Sequence, residues 1–166
     1  MPIAEIKRRI ANIIAFGTVS QVKSGDGKAL VRVKVMDLET DWLPVSSLSN
    51  GFKKHWIPTT VGEQCIVLRP FGESSSGIVF RSIFNRGEKE PAGADESTEI
   101  IEYSDGTRVS YSTASGALNV ECVGVVTIKA ASVVIDAPTT FKQDVTADGN
   151  ITAGGSVTDS DGDGGA

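Results

Sequence analysis

His55 is the one histidine in the chain, and histidine is the side chain best suited to move a proton near neutral pH. It stands in "FKKHWIP", where no partner that would make it a base is set beside it, so it reads as an exposed loop histidine. In "GESSSG" the spacing of Gly72, Ser74 and Gly77 is wrong for a G-x-S-x-G nucleophile elbow, and the segment joins two strands where an elbow needs strand then helix. "GDGK", residues 25–28, lacks the spacing of a phosphate-binding loop. No catalytic set is named, and an enzyme is not expected.

Asp159, Asp161 and Asp163, followed by Gly164, match the first half of a calcium loop, but the chain ends before the position of the closing Glu. One chain cannot complete that site. Three chains around an axis could pool the carboxylates; solvated acidic residues are the preferred reading. Cys65 in "EQCIVL" and Cys122 in "NVECVGV" each sit in an alternating apolar stretch, and both are expected as buried free thiols.

Charge divides the chain. Residues 1–90 hold 13 Lys/Arg against 9 Asp/Glu, and residues 91–166 hold 3 against 12. An acidic half so poor in Lys and Arg is a weak binder of nucleic acid or anionic membrane, because phosphate contact relies on those two residues. The longest apolar runs, such as "CIVL" and "VGVV", fall far short of the roughly 18 residues that span a bilayer, and the start lacks the basic and apolar regions of a signal peptide. A soluble protein is expected.

The elements that must position these residues begin with "MPIAEIKRRIANIIAFG". Ile3, Ile6, Ile10 and Ile13/Ile14 recur at helical spacing, with Pro2 suited to the first turn and Gly17 to a stop, which predicts an amphipathic helix over 1–16. Residues 17–86 then alternate with period two. "TVSQV" and "ALVRVKVM" flank a Gly-Asp-Gly turn, and "VGEQCIVLRPF" and "GIVFRSIF" flank "GESSS", giving two hairpins. The Pro/Ser/Gly-rich connection between them carries Trp42 and Trp56, read as barrel packing beside Pro44 and Pro58. This pattern fits a small Greek-key barrel of the OB type. A linker is expected over 87–98, where charge, Gly and Pro occur without periodicity.

Residues 99–158 read as a different β structure. "IIEYSDGTRVSY" is a hairpin around Asp105-Gly106, and Leu118, Val120, Cys122, Val126 and Ile128 share one parity. The strands then shrink to a six-residue phrase in "VTADGNITAGGSVTDSDG", with Val145, Ile151 and Val157 each followed by Thr. Such a rung buries too little to offset the roughly 1–2 kcal/mol per residue of backbone ordering. It gains stability by stacking and by closure with other copies, so Val145, Ile151 and Val157 are expected to line the core of an intertwined oligomer. In the third copy the register slips, Asp161 standing where Gly is due, and 159–166 is read as tip or tail. The fold class expected is all-β: a short N-terminal helix, an OB-like barrel and a C-terminal intertwined trimeric β-helix or β-prism.

The order of "IKRRIANIIAFGTV", "VRVKV", "WLPV", "VGEQCIVLRPFGE", "IVFRSIF" and "IEYSDGTRVSYS", followed by a β-helical stretch and a Gly-punctuated end, resembles the central spike of contractile phage tails. That is the baseplate assembly protein V family, which also serves R-type pyocins and has relatives in type VI secretion. The resemblance implies a homotrimer whose OB domain docks on the baseplate hub and whose β-helix tapers to a point that is driven through the bacterial outer membrane. It implies a component of the tail baseplate, or of an equivalent extracellular particle, assembled in the host cytoplasm, with no nucleic-acid partner. The chain has no room for the lysozyme domain inserted in some phage relatives. Many members end in a His-x-His tip that holds an axial metal ion; no His follows His55, so no metal or other cofactor is carried over. A tip capped by another protein, a longer native chain and an untipped spike stay open. The alternative function is an OB-fold module for nucleic acid or oligosaccharide with a β-helical oligomerisation tail.

Overall fold

The computed structural model describes residues 2–25, 27–73 and 75–158. Asp26 of the first hairpin turn, Ser74 of the second, and the tip with Asp159, Asp161 and Asp163 lie outside the described residues.

Helix α1 spans Ile3–Ala11 and is entered from Pro2 in extended conformation. Glu5 stands in its first turn and Arg8 and Arg9 in its last, the arrangement the helix dipole favours. Glu5 accepts from Arg8 Nε and Nη2 at 2.8 Å and from Arg9 Nε at 2.7 Å. These two guanidiniums hold its carboxyl well below the ordinary range, at about 2. The helix is shorter than the 1–16 expected. It ends at Asn12, and Ile14 opens strand β1 (Ile14–Gly25), because the β-branched pair Ile13-Ile14 is recruited by the sheet: Arg69 N–H donates to Ile13 O at 2.7 Å, and Ile14 pairs with Leu68. Gly17 is therefore no helix stop. It lies within β1, where a Cβ would meet the Val33 side chain and stand 2.8 Å from Lys34 O, so its bareness lets the barrel close tightly.

Strand β2 (Lys28–Val35) returns antiparallel to β1, from Gly25↔Lys28 to Thr18↔Lys34, with a bulge between Val19 and Gln21. Ser20 Oγ donates to Arg32 O there. Next come β3 (Leu38–Glu39) and β4 (Leu43–Pro44), which both pair with β2, then β5 (Gln64–Leu68) and β6 (Ile78–Arg81), which form the second hairpin. The sheet runs β3-β2-β1-β5-β6. A parallel bridge between Val45 and Val79, with Ser46 N–H donating to Val79 O at 2.8 Å, joins the end of β4 to β6 and closes the barrel.

Alternation along these strands builds the core. Val19, Val31, Val33, Leu43, Cys65, Val67 and Val79 are each no more than 1 % exposed. Burial pushes the Cys65 thiol up to about 11, consistent with an inert core cysteine. The two tryptophans, expected to pack in the barrel, are absent from this core. Leu43 takes the inward position of β4, so its neighbour Trp42 turns outward and is covered by the Arg32 guanidinium, 5.3 Å from the ring centroid. Trp56 lies in the long connection and is 57 % exposed.

One ion pair ties that connection to the barrel. Glu63, 8 % exposed, pairs with Arg81 Nε at 2.9 Å and accepts from Thr60 N–H; Arg81 also donates to the Ile57 and Pro58 carbonyls at 2.6 and 2.8 Å.

A separate meander follows: β7 (Thr98–Glu102), β8 (Arg108–Ser112) and β9 (Ala117–Glu121), all antiparallel. The segment before it, read as a linker, is bonded to the sheet: Arg108 donates to Ala92 O at 2.7 Å, and Thr113 N–H to Ser97 O at 2.9 Å. Residues 124–158 form a unit of their own and contain neither helix nor strand.

Candidate functional site

Cross-strand pairing divides the β7–β9 meander into two unlike faces. One carries Thr98, Ile100, Arg108, Ser110, Ser112 and Ala117, all half-buried. The other carries Glu99, Ile101, Val109, Tyr111, Leu118 and Val120, in the cross-strand rows Ile101↔Val109↔Val120 and Glu99↔Tyr111↔Leu118. Five of these six are exposed, Leu118 at 66 %, and only Val109 is half-buried. Aromatic and β-branched side chains in adjacent rows are what a covered sheet face is made of, yet among the described residues of 1–123 no second layer lies over them.

Cys122, expected in a core with Leu118 and Val120, is exposed, as those two residues are. The rung residues of the six-residue repeat are likewise uncovered within one chain: Val145, Ile151 and Val157 are all exposed, Ile151 at 76 %. A Cβ at Gly149 or Gly155 would meet open space, so neither glycine is demanded by a close contact inside the chain. The expected β-helix is thus not formed by one copy. The physical reason is the one that made the repeat stand out: a rung with one apolar side chain has nothing to pair with until other rungs lie beside it.

The barrel also has an uncovered apolar exterior. Outward positions of β1, β5 and β6 pair in the rows Ile14↔Leu68↔Ile78 and Phe16↔Ile66↔Phe80; Ile14, Phe16 and Phe80 are exposed and the other three half-buried. Helix α1 presents Ile3, Ile6 and Ile10, all exposed, and it is held against the turn Pro70–Gly72. Arg9 pairs with Glu73 at 3.1 Å, and a Cβ on Gly72 would stand 2.7 Å from Arg9 Cα, so only glycine lets the helix backbone lie this close. Exposed Phe71 has φ 60°, a left-handed conformation uncommon for an aromatic residue.

His55 lies exposed in the long connection, its backbone N–H accepted by Ser49 Oγ at 2.8 Å. No cluster of three or more metal-ligating side chains occurs among the described residues. The surfaces described are suited to burying apolar area against other chains, with rows of pleated side chains where a second sheet or subunit would interdigitate. The outward rows of the barrel went unremarked in the sequence because apolar residues of both parities in "IIAF" and "CIVL" hide which parity faces out.

A search of curated proteins returned no match to the chain. Residues 15–84 match the model of the type VI secretion system/phage-baseplate injector OB domain. That range starts one residue inside β1 and ends just beyond β6, so it coincides with the closed barrel and its Val45–Val79 seam. The barrel is thus similar to the type VI secretion system/phage-baseplate injector OB domain, and the role this similarity supports is tail- or baseplate-related.

Proposed function

We propose that the chain is the central spike of a contractile tail, a homotrimer that docks on the baseplate hub through its barrel end and pierces the bacterial outer membrane with its C-terminal part. The observation that carries this reading is the bare face of the β7–β9 meander, with Ile101, Tyr111, Leu118 and Val120 exposed together. Three copies turning that face toward a common axis would form the covered prism that one chain lacks, and three sets of rungs at Val145, Ile151 and Val157 would close the edges each set leaves open. The isoleucine stripe of α1 and the outer rows of the barrel supply the docking surface for the hub. The particle is a virion tail or an equivalent extracellular device; the spike acts mechanically, without turnover, bound metal or nucleic acid, and a tip-capping protein is a further partner.

Sedimentation equilibrium at micromolar concentration tests the reading. A trimer that persists on dilution is expected, and a monomer would overturn it. A second reading, a binding module for nucleic acid or oligosaccharide with an oligomerisation tail, is favoured by the exposed indole of Trp56. A salt-dependent shift of single-stranded DNA would support its nucleic-acid form, since strand binding combines stacking aromatics with phosphate contacts.

A further inference from the structure

One charge of the barrel has no counterpart. Arg69 follows Leu68 at the end of β5 and continues the parity of Cys65 and Val67, which face the core. It is 7 % exposed. Its backbone is fixed, the N–H donating to Ile13 O at 2.7 Å and the O accepting from Gly72 N–H at 3.1 Å, and its stem packs on Gly77, where a Cβ would stand 3.4 Å from Arg69 Cγ. The Nε is sealed from solvent with no hydrogen-bond partner, and among the described residues no carboxylate pairs with the guanidinium. Ser74, next to this turn in sequence, carries no carboxylate, and Asp26 follows Gly25 at the opposite end of β1 from Ile14, the residue that pairs with Leu68. Burial lowers the Arg69 pKa, yet a guanidinium stays charged at neutral pH. A buried charge without a partner is among the most costly groups a fold can hold; Arg81 with Glu63 shows the same barrel supplying the partner itself.

The residues around Arg69 are those of a surface made to be covered. Phe71, two positions on, is 78 % exposed, and the turn that carries it is backed by the last turn of α1 through Arg9. The same helix presents Ile3, Ile6 and Ile10 to solvent, and Ile14 beside Leu68 is exposed as well. An exposed aromatic close to a desolvated arginine is the combination in which binding energy concentrates at protein interfaces. We propose that Arg69 receives a carboxylate from the protein on which the barrel docks, an Asp or Glu side chain set among apolar residues that cover Phe71 and the isoleucines of α1. The assignment rests on the docking role proposed for the barrel end and gives that docking its chemistry. A carboxylate meets the planar fork of a guanidinium with two parallel hydrogen bonds, so the unmatched charge becomes a matched one when the partner arrives. The charge of residues 1–90, 13 Lys/Arg against 9 Asp/Glu, favours an acidic partner over the same surface of a second copy, which would set one guanidinium against another.

The test titrates the full-length protein with the peptide acetyl-Phe-Leu-Glu-Leu-amide and with the same peptide carrying Gln in place of Glu, and follows the Arg69 Nε–H resonance, assigned by its loss in Arg69→Met. With the Glu peptide the resonance is expected to shift saturably, with a dissociation constant below about 5 mM, and the Gln peptide should bind about tenfold more weakly or not at all. Arg69→Met keeps the length of the stem and removes the unmatched charge, so it should raise the melting temperature of the free protein by about 3 °C and abolish the preference for Glu over Gln. Equal binding of the two peptides, binding of neither, or a Glu preference that survives Arg69→Met would each overturn the proposal. A melting temperature that Arg69→Met leaves unchanged or lowers would overturn it as well, because the guanidinium would then be satisfied within the free chain. Loss of the trimer in Arg69→Met would do the same by assigning the carboxylate to a second copy. The peptides read the site without the hub, so their failure and a failure of the spike reading in sedimentation are separate results.

Discussion

The barrel and the β7–β9 meander are both antiparallel and both alternate apolar with polar side chains, yet they end up opposite in burial. In the barrel, Val33 and Val67 vanish from solvent because the sheet curls until β4 and β6 meet, and each inward side chain is covered by another from the same chain. In the meander, Leu118 and Val120 occupy equivalent inward-type positions and stay in water. Alternation specifies that a face is to be covered; it does not say by whom. Closure onto itself answers that question for the barrel, and in the meander a single chain leaves the face open.

The contrast is broken most directly at the bare face. Tyr111→Asp with Leu118→Asp is expected to convert the proposed trimer to monomer in sedimentation, while the unfolding free energy of the barrel moves by no more than about 0.5 kcal/mol, as for exposed substitutions elsewhere. A variant that stays trimeric would show that this face is not the one three copies share.

Val33→Asp applies the reverse stress. A carboxylate placed among Val19, Val31 and Val67 has no partner, and the barrel should lose about 4 kcal/mol or more in urea unfolding. If the two regions are stabilised separately, the trimer persists through a transition in which the barrel has already melted. A single cooperative transition in both the wild type and this variant would mean that the two regions depend on each other.

Arg81→Ala sharpens the account of how the barrel fixes its long connection. It strands the nearly buried Glu63 carboxylate and frees the Ile57 and Pro58 carbonyls, with an expected loss of about 3 kcal/mol. Proteolysis between residues 46 and 60 should rise with it; unchanged cleavage would mean that the connection is held by other contacts.

The smallest expected effect lies at α1. Glu5 has its folded pKa lowered by Arg8 and Arg9, from 4.5 to about 2. A lowered carboxylate pKa stabilises fully above the ordinary value and loses that contribution as pH falls through the folded one, so protection of α1 amides in hydrogen exchange should be level above about pH 4.5 and decline toward pH 2. Glu5→Gln should remove this pH dependence, and the core amides of β1 and β5 should show none of it. Because the ion pairs are exposed, the change in global stability is small.

Much of the barrel was legible in sequence because its signals are local. Glycine turns between alternating runs gave both hairpins. The errors fell where a residue had two locally sound options. Ile13 and Ile14 continue a helical stripe as well as they begin a strand, and only Leu68 across the sheet decides. Trp42 suits a core as well as an exterior, and Leu43 beside it took the inward place. The unmatched charge of Arg69 gave no sequence signal, because it depends on which residues the closed barrel brings to the end of β5.

The sequence by itself determined the two hairpins, the one-sided apolar patterning of residues 99–121, the change to a six-residue repeat after 145 and the division of charge, since each depends on neighbours within a few residues. Tertiary structure decided where α1 stops, that Gly17 and Gly72 must be bare, that Glu63 and Arg81 pair across 18 residues, and that Arg69 is buried. Those outcomes rest on which strands lie side by side once the barrel closes, and the chain's local preferences leave them open until long-range packing selects among them.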